Sequence, residues 1–260
     1  MNRAALLPDG FLLVDKPAGI TSFRVVDRLK KRFRIGKLGH GGSLDPPATG
    51  LLVLLVNRAT KQARFLLGGE KEYEAKVRLG VETDTQDITG RVLVRRDDCR
   101  PGAAEVEAAL KKFRGEIEQV PPMFSALKHR GERLYRIARR GEEVARVPRR
   151  VTVSRLDLIG ISGDRIDLRI RCSKGTYIRT LAHDLGQALD GGGCLEELRR
   201  TAVGPFRIEK ATPLAQLLAG TREALAAEII PLPEVEEAME RNSAFRRQNS
   251  GDQAGREMVF

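Results

Sequence analysis

GHGGSLDPPATG (Gly39–Gly50) runs without a break into LLVLLV (Leu51–Val56). Six apolar residues in a row, entered from a glycine- and proline-rich loop, have the length of a strand rather than of a helix. With no polar alternation, such a strand is covered on both faces and lies inside its sheet. The loop before it is equally informative. Glycine and proline at this density shape a backbone rather than loosen it. Asp45 is the only carboxylate in the loop, set between Leu44 and Pro46. Pro46 and Pro47 fix φ and so limit how far that carboxylate can wander. By composition alone, an aspartate before proline is an ordinary turn residue. The loop has neither the GxxxxGK[ST] spacing nor a GxGxxG opening a helix, so a nucleotide cradle is poorly supported.

Working outward, GFLLVDKP (Gly10–Pro17) reads as a short strand closed by proline. Thr21 or Ser22 can cap the helix that follows, where Val25, Val26, Leu29 and Phe33 recur at helical spacing. Its other face carries Arg24, Arg28, Lys31 and Arg32. Downstream, Glu70–Gly80 alternates, with Tyr73, Ala75, Val77 and Leu79 on one face and Glu74, Lys76 and Arg78 on the other. A helix is expected over Ala103–Phe113, and strands over Val151–Ile159 and Arg165–Cys172. The basic stretch PPMFSALKHRGERLYRIARRGEEVARVPRR (Pro121–Arg150) reads as a loop followed by a helix. After the turn SKGT, Ile178, Leu181, Leu185 and Leu189 share a helix face that ends at Gly191–Gly193. Strands and helices intermix without regular βαβ alternation. The expected fold is therefore α+β, a mixed and mostly antiparallel sheet with helices packed around it.

The 260 residues are 41% hydrophobic, enough for a sizeable core, and 31% charged. The 46 lysines and arginines against 35 acidic residues leave a net charge of +11, which favours a polyanionic partner. The longest apolar run is far below the ~18 residues of a membrane-spanning helix, and MNRAALLPDG lacks the apolar core of a secretory signal. Cys99, Cys172 and Cys194 are scattered, as are the three histidines, so neither disulfides nor a metal centre is expected and a reducing cytoplasm is. The closing stretch RNSAFRRQNSGDQAGREMVF (Arg241–Phe260) is polar and aperiodic and reads as a disordered tail.

GHGGSLDPPATGLLVLLVNRATK (Gly39–Lys61) resembles the catalytic segment of the TruB family of tRNA pseudouridine-55 synthases. DKPAGITS (Asp15–Ser22), KEYEAKVRLGVETDTQDITG (Lys71–Gly90), VPPMFSALKHRGERLY (Val120–Tyr135), CSKGTYIRTLAHDLG (Cys172–Gly186) and LRRTAVGPF (Leu198–Phe206) resemble further family blocks, in the family's order. The resemblance spans Gly10 to Leu214 and implies the pseudouridine synthase fold. It also implies conversion of uridine 55 in the T-loop of tRNA to pseudouridine. That isomerisation breaks the N1–C1′ bond, turns the uracil and joins C5 to C1′. Bonds are exchanged within one nucleotide, so no cofactor is called for.

Asp45 matches the family's catalytic aspartate, acting as nucleophile or as the base that starts bond cleavage. Arg179 matches the arginine that pairs with it, keeping the carboxylate ionised and aimed. Tyr73 matches the tyrosine that stacks on the target base and is proposed to assist proton removal from C5, although its position on an apolar strand face also suits core packing. His40 matches the histidine that takes the place of the extruded base, offsetting part of the cost of flipping. Lys16 and Pro17 match the lysine–proline pair near the pocket, with Lys16 supporting the active-site loop or the RNA backbone. Leu198 matches the segment that closes over the uracil. Lys128, Arg130, Arg133, Arg136, Arg139 and Arg140 would form the basic insertion, about residues 120–150, that grips the T-stem loop.

Gly41, Ser43 and Pro47 depart from the threonine, threonine and leucine of many relatives, and Phe124 replaces a common tyrosine. The expected organisation is a catalytic domain over 1–214 and a short, partly disordered extension over 215–260, with no complete PUA domain. The expected partner is tRNA, bound by a monomer with no obligate protein partner. Two other readings fit less of the sequence. A guide-RNA-dependent pseudouridine synthase would rely on partner proteins and a PUA domain. A tRNA-binding or folding chaperone would need the basic surface but not Asp45, Tyr73 and Arg179 together.

Overall fold

The computed structural model describes residues 7–63, 68–235 and 237. The stretch Arg241–Phe260, read above as a disordered tail, lies outside the described residues. Among the described residues the chain packs as two units that interleave in sequence. The first comprises 7–46, 50–63 and the segment from Val203 onward; the second comprises 47–49 and 68–202.

In the first unit the strand Gly10–Lys16 pairs antiparallel with Thr49–Val56, from Gly10 against Val56 to Lys16 against Gly50. The other edge of Gly10–Lys16 is shared. Ile229–Pro231 pairs antiparallel with its first half and Thr212–Pro213 pairs parallel with its second. The unbroken apolar run is explained by two cores. Leu12, Val14, Leu52, Leu54 and Val56 pack with Val25, Leu29 and Phe33 of the helix Ser22–Phe33 and with Leu214, Leu217 and Leu225. Phe11, Leu13, Leu51, Val53 and Leu55 pack on the other side with Val203, Phe206 and Val235. A strand sandwiched in this way has no solvent face on which a polar residue could sit.

In the second unit Gly193–Val203, Lys71–Leu79, Arg165–Cys172, Arg149–Ser162 and Gly115–Gln119 lie side by side in that order, the last four pairing antiparallel. Lys71–Leu79 pairs in full register with Arg165–Cys172, Tyr73 facing Ile170 and Val77 facing Ile166. Its inner face carries Tyr73, Ala75, Val77 and Leu79, and its outer face is an ion network in which Arg78 reaches Asp164 at 2.9 Å and Lys76 reaches Glu197 at 3.2 Å. The helices Ala103–Lys111 and Ile178–Ala188 pack on this sheet. The α+β reading and its mostly antiparallel sheet therefore hold. No helix among the described residues is long and apolar enough to cross a membrane.

The basic segment is more structured than a loop and a helix. Lys128–His129 and Glu132–Arg133 form a hairpin, with Leu134–Arg139 as the helix after it. Its two turn residues, Arg130 and Gly131, have φ of 46° and 90°. Positive φ at both centres is the tight turn whose twist matches a hairpin. Met123, Leu134 and Ile137 make a small core beneath it. The strand read as Val151–Ile159 runs from Arg149 to Ser162. Gly193–Val203 is a strand the periodicity did not reveal, because CLEELRRTAV does not alternate.

Candidate active site

In the first unit the Asp45 loop is held on both sides of the aspartate. Thr21 caps the helix Ser22–Phe33 by accepting from the Arg24 N–H at 3.1 Å. Ser22 is thereby left for another task. Its hydroxyl accepts from the Leu44 N–H at 2.8 Å and donates to the Leu44 carbonyl at 3.1 Å. On the other side, the Pro46 carbonyl accepts from the Gly19 N–H at 2.8 Å and from the Lys16 ammonium at 3.2 Å. Lys16 is fully buried and also donates to the carbonyls of Pro17 at 2.9 Å and Ile20 at 2.8 Å. Leu44 and Ala48 are buried, whereas Asp45 is exposed. The result is a solvent-facing carboxylate on a backbone with little freedom. His40 ends the strand Leu38–His40, opposite Leu54, and is half-buried, while Pro17 is exposed.

In the second unit Arg179 is buried at the start of the helix Ile178–Ala188. Gln119 fixes that start, accepting from the Tyr177 N–H at 2.8 Å and donating to the Tyr177 carbonyl at 3.1 Å. The Arg179 guanidinium donates to the carbonyls of Thr85 at 2.8 Å and Phe124 at 2.9 Å, and its Nε lies 3.9 Å from Asp87 Oδ2. Asp87 is in turn surrounded by donors. Its Oδ1 accepts from Thr85 Oγ1 at 2.9 Å and from the N–H and hydroxyl of Thr89 at 3.0 and 2.5 Å. One arginine thus ties the 83–90 turn to the segment carrying Phe124.

Tyr73 is buried on the inner face of its strand and hydrogen-bonds with the guanidinium of Arg200, which is 1% exposed. Leu198 is half-buried, and its carbonyl accepts from Thr49 Oγ1 at 3.3 Å. Lys128 and Arg130 are exposed on the hairpin. Arg140 is engaged elsewhere, bridging Glu132 at 2.6 Å and Glu142 at 2.7 Å, and these hydrogen bonds hold its guanidinium in the charged form. Among the described residues, no group of three or more His, Cys, Asp or Glu side chains gathers as a metal centre would need. All three cysteines are free.

Asp87, Gln119 and Arg200 escaped the reading of the sequence as site residues. Asp87 had a legible signal, since an aspartate two residues before threonine is an Asx-turn pattern. Arg200 had none, because one arginine among LRR looks like surface.

Over 86% of the chain the fold matches the crystal structure of a Cbf5–Nop10–Gar1 complex (TM-score 0.68, 31% identity). It also matches an archaeal box H/ACA sRNP Nop10–Cbf5 complex (TM-score 0.64, 29% identity). The chain spans 60% of each of those chains. The model for the TruB family pseudouridylate synthase N-terminal domain matches residues 30–178, so fold and aspartate loop together define a pseudouridine synthase. That for the tRNA pseudouridylate synthase B C-terminal domain matches 179–239. The chain belongs to the TruB family. It is 49% identical over 85% of its length to a tRNA pseudouridine synthase B of Aromatoleum aromaticum, covering 70% of that protein. It is 46% identical over 82% of its length to one of Bordetella avium, covering 88% of it.

Proposed function

We propose that this protein isomerises uridine 55 in the T-loop of tRNA to pseudouridine. The observation that carries the reading is the Asp45 loop, a solvent-facing carboxylate whose two flanking residues are each pinned through two hydrogen bonds. A catalytic group held in advance spends no free energy on orientation at the moment of reaction. Asp45 starts the cleavage of the N1–C1′ bond, as nucleophile or as base. Arg179 keeps that carboxylate ionised, and Tyr73 stacks on the uracil. His40 fills the place of the flipped base, and Leu198 closes over the pocket. Of the two tasks open to Lys16, the burial of its ammonium on three carbonyls favours support of the loop. Pro17, exposed beside it, is left to face the RNA.

The catalytic region is 1–214. Lys128 and Arg130, on the exposed hairpin, grip the T-stem phosphates. The enzyme works in the cytoplasm as a monomer, without a cofactor and without the partner proteins seen with the Cbf5 chains. The test is release of tritium from a tRNA transcript labelled at C5 of uridine, by the unaltered protein and by Asp45→Asn. Release by the first alone, mapped to position 55, is expected. Release by both overturns the role of Asp45. Release by neither, with tRNA still bound, favours an RNA-binding protein without chemistry.

A further inference from the structure

Burying a guanidinium is costly, because the interior must replace its hydration. Arg200 is nevertheless among the largest fully buried side chains of the protein. It projects from Gly193–Val203, the strand beside Lys71–Leu79, and hydrogen-bonds with the phenol of Tyr73. Arginine has donors only, so the Tyr73 oxygen is the acceptor in this bond. A phenol that accepts from a fixed cation has its phenolate favoured and its ring held at a set angle.

The surroundings sharpen this. On its own strand Tyr73 is two residues from Lys71, on the same buried face, and across the other neighbouring strand it faces the apolar Ile170. Lys71 is influenced by Arg200, Cys172 and Lys174, and Cys172 by Glu70. Burial first, and repulsion from Arg200 second, bring the Lys71 ammonium down to about 8. Burial pushes the Cys172 thiol up to about 11. Cys172 is thus neutral and Lys71 is still mostly protonated at pH 7, while Arg200, although burial lowers its own pKa, is the group that hydrogen-bonds with the phenol.

We propose that Arg200 is a positioning residue for the isomerisation, holding the Tyr73 ring and stabilising its phenolate so that it takes the proton from C5. This rests on the isomerase reading above. The balance is internal. Uracil leaves C1′ with the N1 electron pair, and C5 then bonds to C1′. The C5 proton passes to the Tyr73 oxygen, N1 takes up a proton from water, and the phenol returns its proton to water, which closes the cycle.

The sequence supplies a clean probe, with three tyrosines and no tryptophan. In a protein carrying Tyr135→Phe and Tyr177→Phe, the ultraviolet tyrosinate band reports Tyr73 alone. Arg200→Gln is expected to move its titration upward by about one pH unit or more, the effect of removing an adjacent opposite charge. Single-turnover isomerisation should fall about tenfold or more, within the range of a lost proton-transfer group. Adding Arg200→Gln to Tyr73→Phe should cost nothing further. Arg200→Lys keeps the charge and should recover most of the titration shift and part of the rate; it carries the same comparison if Arg200→Gln does not fold. An unmoved titration, or losses that simply add to those of Tyr73→Phe, overturns the proposal. Absence of tritium release by the unaltered protein overturns the isomerase reading instead, and the titration arm still reads the Arg200–Tyr73 bond.

Discussion

The ammonium of Lys16 lies 3.2 Å from the carbonyl of Pro46, the residue that follows Asp45. One buried lysine thereby ties the end of the strand Gly10–Lys16 to the loop bearing the catalytic candidate. Replacing it with methionine keeps the volume but takes the Lys16 donor from the carbonyls of Pro17 and Ile20 and leaves that of Pro46 with the Gly19 N–H alone. An unsatisfied buried polar group costs about 1–3 kcal/mol, so Lys16→Met should lower stability by that order in urea unfolding. The isomerisation rate should fall while the salt dependence of tRNA binding stays as it was. A lysine on RNA phosphate would instead reduce the salt slope by about 0.7–0.9 when removed.

Asp87 carries a prediction about Arg179. Both side chains are buried, and Asp87 also accepts from Thr85 and Thr89. Removing the Asp87 carboxylate takes the acceptor from Thr85 and Thr89 and one charged neighbour from Arg179; an unsatisfied buried polar group costs about 1–3 kcal/mol. Asp87→Ala should therefore lower the melting temperature markedly and slow isomerisation. Asp87→Asn, which keeps an acceptor for the threonines but not the charge beside Arg179, should recover the share of the stability that those hydrogen bonds carry and less of the rate. Equal stability of the two variants would show that the charge, not the hydrogen bonding, is what matters.

Lys71 gives a pH dependence of stability. Its folded pKa is about 8, against an ordinary 10.5. Below pH 8 the native state carries the ammonium at a cost. Between about 8 and 10.5 the unfolded chain holds a proton that the native state has lost, so stability from this group rises with pH across that window. Lys71→Met should be more stable than the unaltered protein at pH 7, and the gap should close as the pH passes through the window. Urea unfolding of both proteins at the two ends of it decides the matter; a constant gap refutes the assignment.

The hairpin offers a test of RNA contact by charge. Lys128→Gln and Arg130→Asn should each reduce the slope of log affinity against log salt by about 0.7–0.9. Asparagine is chosen at 130 because the backbone there is left-handed, a conformation asparagine tolerates. Arg140→Gln should leave the slope unchanged, since its guanidinium is taken up by Glu132 and Glu142. Filter binding over a salt series measures all three.

Local pattern determined a good deal of this protein. The alternation at Lys71–Leu79 and Arg165–Cys172 named those strands and their buried faces, because a side chain's direction along a strand repeats every two residues. The unbroken apolar run at Leu51–Val56 announced a strand covered on both sides, and the glycine–proline loop before it announced a constrained Asp45. The capping pair was legible only as a choice, and the fold resolved it by giving the cap to Thr21 and the loop to Ser22. What periodicity could not supply was partnership between distant segments. Gly193–Val203 carries no alternation, and its place beside Lys71–Leu79 is set by the burial that the pairing achieves over more than a hundred intervening residues. The same long-range packing put Asp87 against Arg179 and Arg200 against Tyr73. Such relations depend on which surfaces lose water together, and only the folded chain decides that.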